Sequence, residues 1–221
     1  MILQQKNISA ENKRPKIVRD FLIIFYIIGI AGLQFELTRA LFHKLIPFTI
    51  LLSFVVLMMF HKPWKPGFVV LSLFIALSGF FVEAIGVHTN LIFGDYSYGR
   101  NLGIKLWGTP LLIGVNWLML TYIGYVLTKD LAVPLILRII AGAIMLVLYD
   151  LFMEPMAMKL DMWNWAGSNV PLQNYFAWFV ISVLFISLFY IFRIKAVNKL
   201  ALTIFLIQIG FFIVLNIFAM V

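Results

Sequence analysis

Cysteine is absent from the 221 residues, which excludes disulfides, iron–sulfur clusters and thiolate zinc sites. Histidine occurs only at His43, His61 and His88, too few for the histidine clusters of a membrane di-iron oxygenase. Neither G-x-G-x-x-G nor G-x-x-x-x-G-K-[ST] occurs, so nothing marks a dinucleotide or nucleotide site. Charge is also scarce. Only 12% of residues are Asp, Glu, Lys or Arg, against about 25% in soluble domains. Apolar residues take their place: 63% of the chain is hydrophobic and the mean hydropathy is +1.03. So few charges cannot cover a water-facing surface. The composition specifies an all-α polytopic membrane helix bundle. The formal net charge of +8 sits mostly at helix ends, where membrane topology needs it, and does not make a nucleic-acid surface.

Seven apolar runs reach the length of a transmembrane helix, about 18 residues or more: 18–35, 43–60, 67–87, 110–127, 132–153, 174–193 and 199–220. Residues 1–17 read as a polar, mobile N-terminal tail, and 18–221 as one transmembrane domain. The apolar run after the tail is too long for a cleavable signal and reads as a retained anchor. Pro110 suits the first turn of the fourth helix, and Pro155 is expected to stop the fifth.

Lysine and arginine set the expected orientation. With the N-terminus inside, the cytoplasmic segments hold Lys6, Lys13, Arg14, Lys16, Arg19, Lys62, Lys65, Lys129, Arg193, Lys195 and Lys199. The opposite side holds Arg39, Lys44, Arg100, Lys105 and Lys159. Arg138 lies inside the fifth span, close enough to the cytoplasmic end to snorkel there. The expectation is a multi-pass protein of the cell (inner) membrane, N-terminus cytoplasmic and C-terminus outside.

Two outer connections are long, roughly 88–109 and 154–173, and rich in glycine and tryptophan. Glycine permits tight turns and close packing, so this density predicts two structured outer loops forming a cap. An interfacial aromatic belt accounts for part of the tryptophan content, but not for the acids beside it. The two hairpins also resemble each other. Each carries acid near the outer end of an outgoing helix, Glu83 in one and Asp150 with Glu154 in the other. Each re-enters through Pro-Leu with a tryptophan seven residues after the proline: Pro110 to Trp117 and Pro171 to Trp178. Chance and duplication explain so short a match equally well.

An ionisable residue within a span is costly and is by default a functional candidate. By the 1.5 Å rise, Glu83 lies about 24 Å along the third span and Asp150 about 27 Å along the fifth. Asn116 sits at a comparable depth in the fourth. Glu154 follows Asp150 by four residues, placing both carboxyls on one helix face. These four residues predict one pocket beneath the aromatic loops. Competing structural readings are a helix-packing carboxyl for Glu83, interhelical glue for Asn116 and a turn cap for Asp95. Asp20, Glu36, His88, Asp161 and Asn164 read as structural. No span carries the central lysine that a retinal Schiff base needs.

The run Glu83-Ala-Ile-Gly-Val-His-Thr, then Phe93-Gly-Asp-Tyr-Ser-Tyr98, Gly108-Thr-Pro-Leu and Asn116-Trp117 resembles the carotenoid biosynthesis membrane-protein family. The resemblance is to its bisanhydrobacterioruberin hydratase and carotenoid 1,2-hydratase type. Asp150, Glu154-Pro155, Trp163-Asn-Trp165, Gly167, Val170-Pro-Leu, Asn174 and Trp178 carry the second half, so the motif-bearing region is about 79–180. The chain departs from the family pattern at Thr89-Asn90, where the family has Thr-Gly, and at Gly167-Ser-Asn-Val-Pro171.

The resemblance implies addition of water to the terminal 1,2 double bond of an acyclic (psi) carotenoid end, through protonation to a tertiary carbocation. It implies a lycopene-like or gamma-carotene-like substrate and no cofactor or metal. The partners it implies are membrane lipid and other carotenoid-pathway enzymes. The chemistry needs a carboxylic acid kept protonated in a low-dielectric site, aromatic faces for the cation and a polar group to hold water. Asp150, Glu83, Glu154 and Asn116 are the catalytic candidates, with Asp150 slightly favoured over Glu83 as donor. Asp95, Tyr96, Tyr98, Trp117, Trp163, Trp165, Asn174 and Trp178 are the substrate-binding candidates. Two alternatives stay open: a membrane lycopene cyclase-like enzyme using the same protonation, and a non-catalytic carotenoid- or lipid-binding membrane protein.

Overall fold

The computed structural model describes residues 2–219, with side chains for 14–218. Seven helices form a bundle: α1 (Ile2–Gln34), α2 (Glu36–Met59), α3 (Pro66–Thr89), α4 (Leu112–Thr128), α5 (Leu135–Lys159), α6 (Leu172–Ile191) and α7 (Ala201–Ala219). Six are long and apolar enough to cross a membrane, and the protein is a multi-pass membrane protein. Helix α4, with 17 residues, is shorter than the expected span. It packs against α2, α3, α5, α6 and α7, and Trp117, Met119, Leu120, Tyr122 and Ile123 are at most 1% exposed. A helix walled by protein need not match the thickness of the hydrocarbon layer.

Short antiparallel strand pairs close both ends of the bundle. On one side β1 (His61–Lys62) pairs with β6 (Val197–Asn198). On the other, β2 (Tyr96–Tyr98) pairs with β5 (Trp163–Trp165), and β3 (Lys105–Leu106) with β4 (Thr109–Pro110).

Two local expectations are corrected. Pro110 lies in β4 rather than in the first turn of α4, because the β3–β4 hairpin takes the residues leading into that helix. Pro155 does not stop α5, which runs on to Lys159. A proline removes one hydrogen bond, but here Leu160 N–H still reaches Met156 O (2.8 Å) and Met162 N–H reaches Ala157 O (2.9 Å). Residues 2–17 are helical and continuous with the first span. Their polarity marks where the apolar stretch begins, not where the helix does. Helix α2 likewise begins earlier than its apolar run, directly after Phe35. Arg39 steadies that junction by donating to the carbonyls of Leu33 (3.1 Å) and Gln34 (3.2 Å) at the end of α1. Met1, Met220 and Val221, the last placed outside by the expected topology, lie beyond the described residues.

Candidate active site

The cap is built from two three-residue strands of alternating burial. Tyr96 pairs with Trp165, Ser97 with Asn164 and Tyr98 with Trp163. Successive strand residues point to opposite faces, so both tyrosines and both tryptophans turn inward while Ser97 and Asn164 face out. Gly99 N–H to Met162 O (2.9 Å) and Ala166 N–H to Asp95 O (3.0 Å) extend the pairing at its two ends. A Cβ at Gly99 would sit 2.1 Å from Asp161 O, so only glycine permits this approach of the loops. Asp161 Oδ2 also holds Arg100 Nε at 3.3 Å, the loop-structuring part expected of it. Asn90 ends α3 in the left-handed conformation, φ 58°. Glycine and asparagine adopt it most readily, so the departure at Thr89-Asn90 keeps the turn.

Each inward pair holds one carboxyl. Tyr96 and Tyr98 donate to Glu83 Oε2 at 2.5 and 2.7 Å, and Trp117 Nε1 donates to Oε1 at 2.8 Å. Trp163 Nε1 and Trp165 Nε1 both donate to Glu154 Oε2 at 2.9 Å, and Asn174 Nδ2 donates to Oε1 at 3.1 Å. All six donors are neutral groups. Asp150 differs: Oδ2 accepts from Asn174 Nδ2 (2.7 Å), while Oδ1 is buried without a partner among the described residues. Burial pushes the Tyr96 and Tyr98 phenols well above their ordinary range, and the charge of Glu83 adds to it. Both therefore stay protonated and keep donating.

Glu83, Glu154, Asn116, Asn174 and Trp178 line one pocket of about 320 Å³, counting its mouth, under the cap residues Tyr96, Tyr98, Trp163 and Trp165. Trp178 packs against Trp117 in a tilted arrangement, with ring centroids 4.4 Å apart and planes at 30°. The Asn116 side chain, in a residue 8% exposed, makes no hydrogen bond to a described residue, so its amide is available to the pocket. Ile113, Asn116 and Trp163 are shared with a second, larger and mostly apolar groove of about 990 Å³, again with its mouth included.

Residues 44–221 match the carotenoid biosynthesis protein family. The chain belongs to that family. The bisanhydrobacterioruberin hydratase of Haloarcula japonica is 28% identical over 128 residues, 52% of this chain and 42% of that protein. The chain thus spans less than half the length of that relative. No solved structure matches the chain.

In this member of the carotenoid biosynthesis family, the structure gathers Glu83, Glu154, Asn116, Asn174, Tyr96, Tyr98, Trp163, Trp165 and Trp178 at one pocket, with Trp117 bonded to Glu83 behind it. Two expectations are corrected. Asp150 does not line the pocket with Glu83 and Asn116; it lies one turn deeper on α5, screened by Asn174. Asp95 is exposed on the cap and contributes its backbone carbonyl to Ala166, so it does not reach the pocket. Phe93, which opens the Phe93–Tyr98 motif, and Ile113, which no sequence signal marks, complete the lining. Gln208 of α7, a buried glutamine in so apolar a helix, is a further readable signal and lines the larger groove.

Proposed function

We propose that this protein hydrates the terminal 1,2 double bond of an acyclic carotenoid end. The observation that carries the reading is a pocket holding two carboxyls fixed by neutral donors, walled by indoles and containing one uncommitted amide. Glu154 Oε2 accepts two indole N–H groups, which can only donate, so a proton on Glu154 resides on Oε1. From there it is delivered to the less substituted alkene carbon. The π electrons form the new C–H bond, and the adjacent carbon becomes a tertiary cation. The rings of Trp178 and Trp163 and the carboxyls stabilise that charge. Asn116 holds the water whose lone pair forms the C–O bond, and Glu83 takes the surplus water proton. That proton returns to the Asp150–Glu154 pair through water at the cap, so none is consumed overall. Asp150 is the proton reserve behind Glu154 and does not touch substrate. No step requires a metal or redox cofactor.

In this reading the protein resides in the cell membrane with its N-terminus cytoplasmic, C-terminus outside and cap on the outer side. Substrate is drawn from membrane lipid, and other enzymes of the carotenoid pathway supply it. Asn116 favours capture of the cation by water over capture by an internal double bond, the step that would make a cyclase. Expression in cells that accumulate an acyclic carotenoid tests the proposal. The expected product is heavier by one water. An isomeric product would identify a cyclase, and carotenoid bound but unchanged would identify a carrier; either overturns it.

A further inference from the structure

The larger groove runs between α1, α2, α5 and α7 and meets the acid pocket at Ile113, Asn116 and Trp163. We propose that it binds the polyene chain of the substrate, which enters sideways from the bilayer between α1 and α2. The inference rests on the hydration reading and adds where the rest of the substrate lies.

Two observations carry it. The first is polarity. Tyr26, Thr49, Tyr149 and Gln208 line the groove, yet they are engaged with other protein groups. Ser53 Oγ donates to Thr49 O (2.8 Å), so the 2.8 Å contact between Tyr26 and Ser53 has Tyr26 donating. Gln208 Nε2 donates to Tyr26 (3.2 Å), Tyr149 donates to Gln208 Oε1 (3.4 Å) and Thr49 donates to Leu45 O (3.1 Å). With these donors committed, the wall presents hydrocarbon to a guest. The uncommitted amide, Asn116, stands where the groove joins the acid pocket. A hydrocarbon chain with one reactive end is therefore oriented: its body lies along the groove and its end reaches Asn116.

The second observation is the mouth. Ile28 of α1 and Leu45 of α2 line the groove and are also 54% and 37% exposed, so the groove opens on the face that α1 and α2 turn to lipid. On α1 the lining runs from Phe25 to Leu33, about 12 Å by the helical rise. A longer polyene keeps its remainder in the bilayer. Gly29 stands at this opening, and a Cβ there would meet Phe211 at an ordinary 3.6 Å. Alanine fits that position, whereas a large side chain would reach into the groove.

The test uses the full chain in lipid nanodiscs and a long acyclic polyene whose induced circular dichroism reports binding. Conversion of that polyene is compared with conversion of a short-chain analogue bearing the same end group. Gly29→Phe is expected to weaken polyene binding and conversion by roughly tenfold or more. It should leave the short analogue within about twofold. Ile28→Trp, at an exposed position that cannot disturb the core, is expected to repeat the pattern. Unchanged polyene binding in both large-residue variants overturns the proposal. So does equal loss of both substrates in both variants, or a wild-type groove that retains phospholipid chains and takes up no polyene. If the wild type binds polyene but hydrates neither substrate, the groove assignment stands and the hydratase reading falls.

Discussion

The two capped hairpins, α3–β2–α4 and α5–β5–α6, share a plan and differ in one acid. Both set a glutamate near the cap end of the outgoing helix, grip it with two inward residues of a three-residue strand, and return through Pro-Leu to a tryptophan. The antiparallel β2–β5 pairing lets the two halves face each other with Tyr-x-Tyr against Trp-x-Trp. Four residues before Glu83 stands Gly79; four before Glu154 stands Asp150. A Cβ at Gly79 would lie 2.7 Å from Trp117 Cβ, so glycine lets the Trp117 indole lean onto Glu83. In the second hairpin the corresponding place is an acid with an unpartnered oxygen, and Asn174 supplies the third donor to Glu154. One half is a closed donor cage. The other has a second carboxyl one turn away, and in the proposed reaction the division of labour between proton acceptor and proton donor follows from that difference.

Four substitutions probe the contrast, starting with the largest effect. Glu154→Gln retains acceptors for the indoles but has no proton to give. Hydration measured by product mass should fall by about a thousandfold, within the general-acid range. Glu83→Gln removes the acceptor of the water proton, and the loss should be about a hundredfold. Asp150→Asn, which removes only the reserve, should cost about tenfold. Equal losses at all three would break the comparison, and an unaffected Asp150→Asn would remove Asp150 from the proton path. Gly79→Ala drives a methyl into Trp117 and should lower stability by about 1–3 kcal/mol, read as an earlier thermal transition. Activity should fall as the indole leaves Glu83.

The smallest effect belongs to the opposite end, where no carboxyl is involved. His61 stacks on Phe68 (3.7 Å), accepts from Tyr122 through Nδ1 (2.7 Å) and donates through Nε2 to Pro63 O (3.1 Å). Burial lowers its pKa below the ordinary histidine value of 6.5. The folded protein thus resists a proton that the unfolded chain accepts, and the sign is a loss of stability on acidification. The His61 contribution should be complete above about pH 6.5 and decline below it. A thermal-shift series in which His61→Gln shows a shallower decline than wild type between neutral and mildly acidic pH would confirm this.

Much of the bundle was legible in the hydropathy of the chain. Glu83 and Asn116 stood out because polar groups inside apolar runs need a reason, and Glu154 because it follows Asp150 by one helical turn. The position of Asp150 behind Asn174 was not legible, because depth along a helix does not reveal which face a neighbouring helix covers. The pairing of Tyr96–Tyr98 with Trp163–Trp165 joins segments far apart in the chain. Alternation over three residues hints at a strand but names no partner. The groove was not legible: Gln208 is conspicuous in so apolar a helix, but its contacts with Tyr26 and Tyr149 join three helices, and no local pattern encodes them.

The central claim is that the pocket adds water through protonation of carbon, and isotope labelling of the product tests it most directly. Reaction in D2O should place one non-exchangeable deuterium on the carbon beside the new alcohol. Reaction in water enriched with heavy oxygen should place one labelled oxygen in that alcohol. A product whose oxygen comes from molecular oxygen, or an alcohol formed without carbon-bound deuterium, would contradict the account.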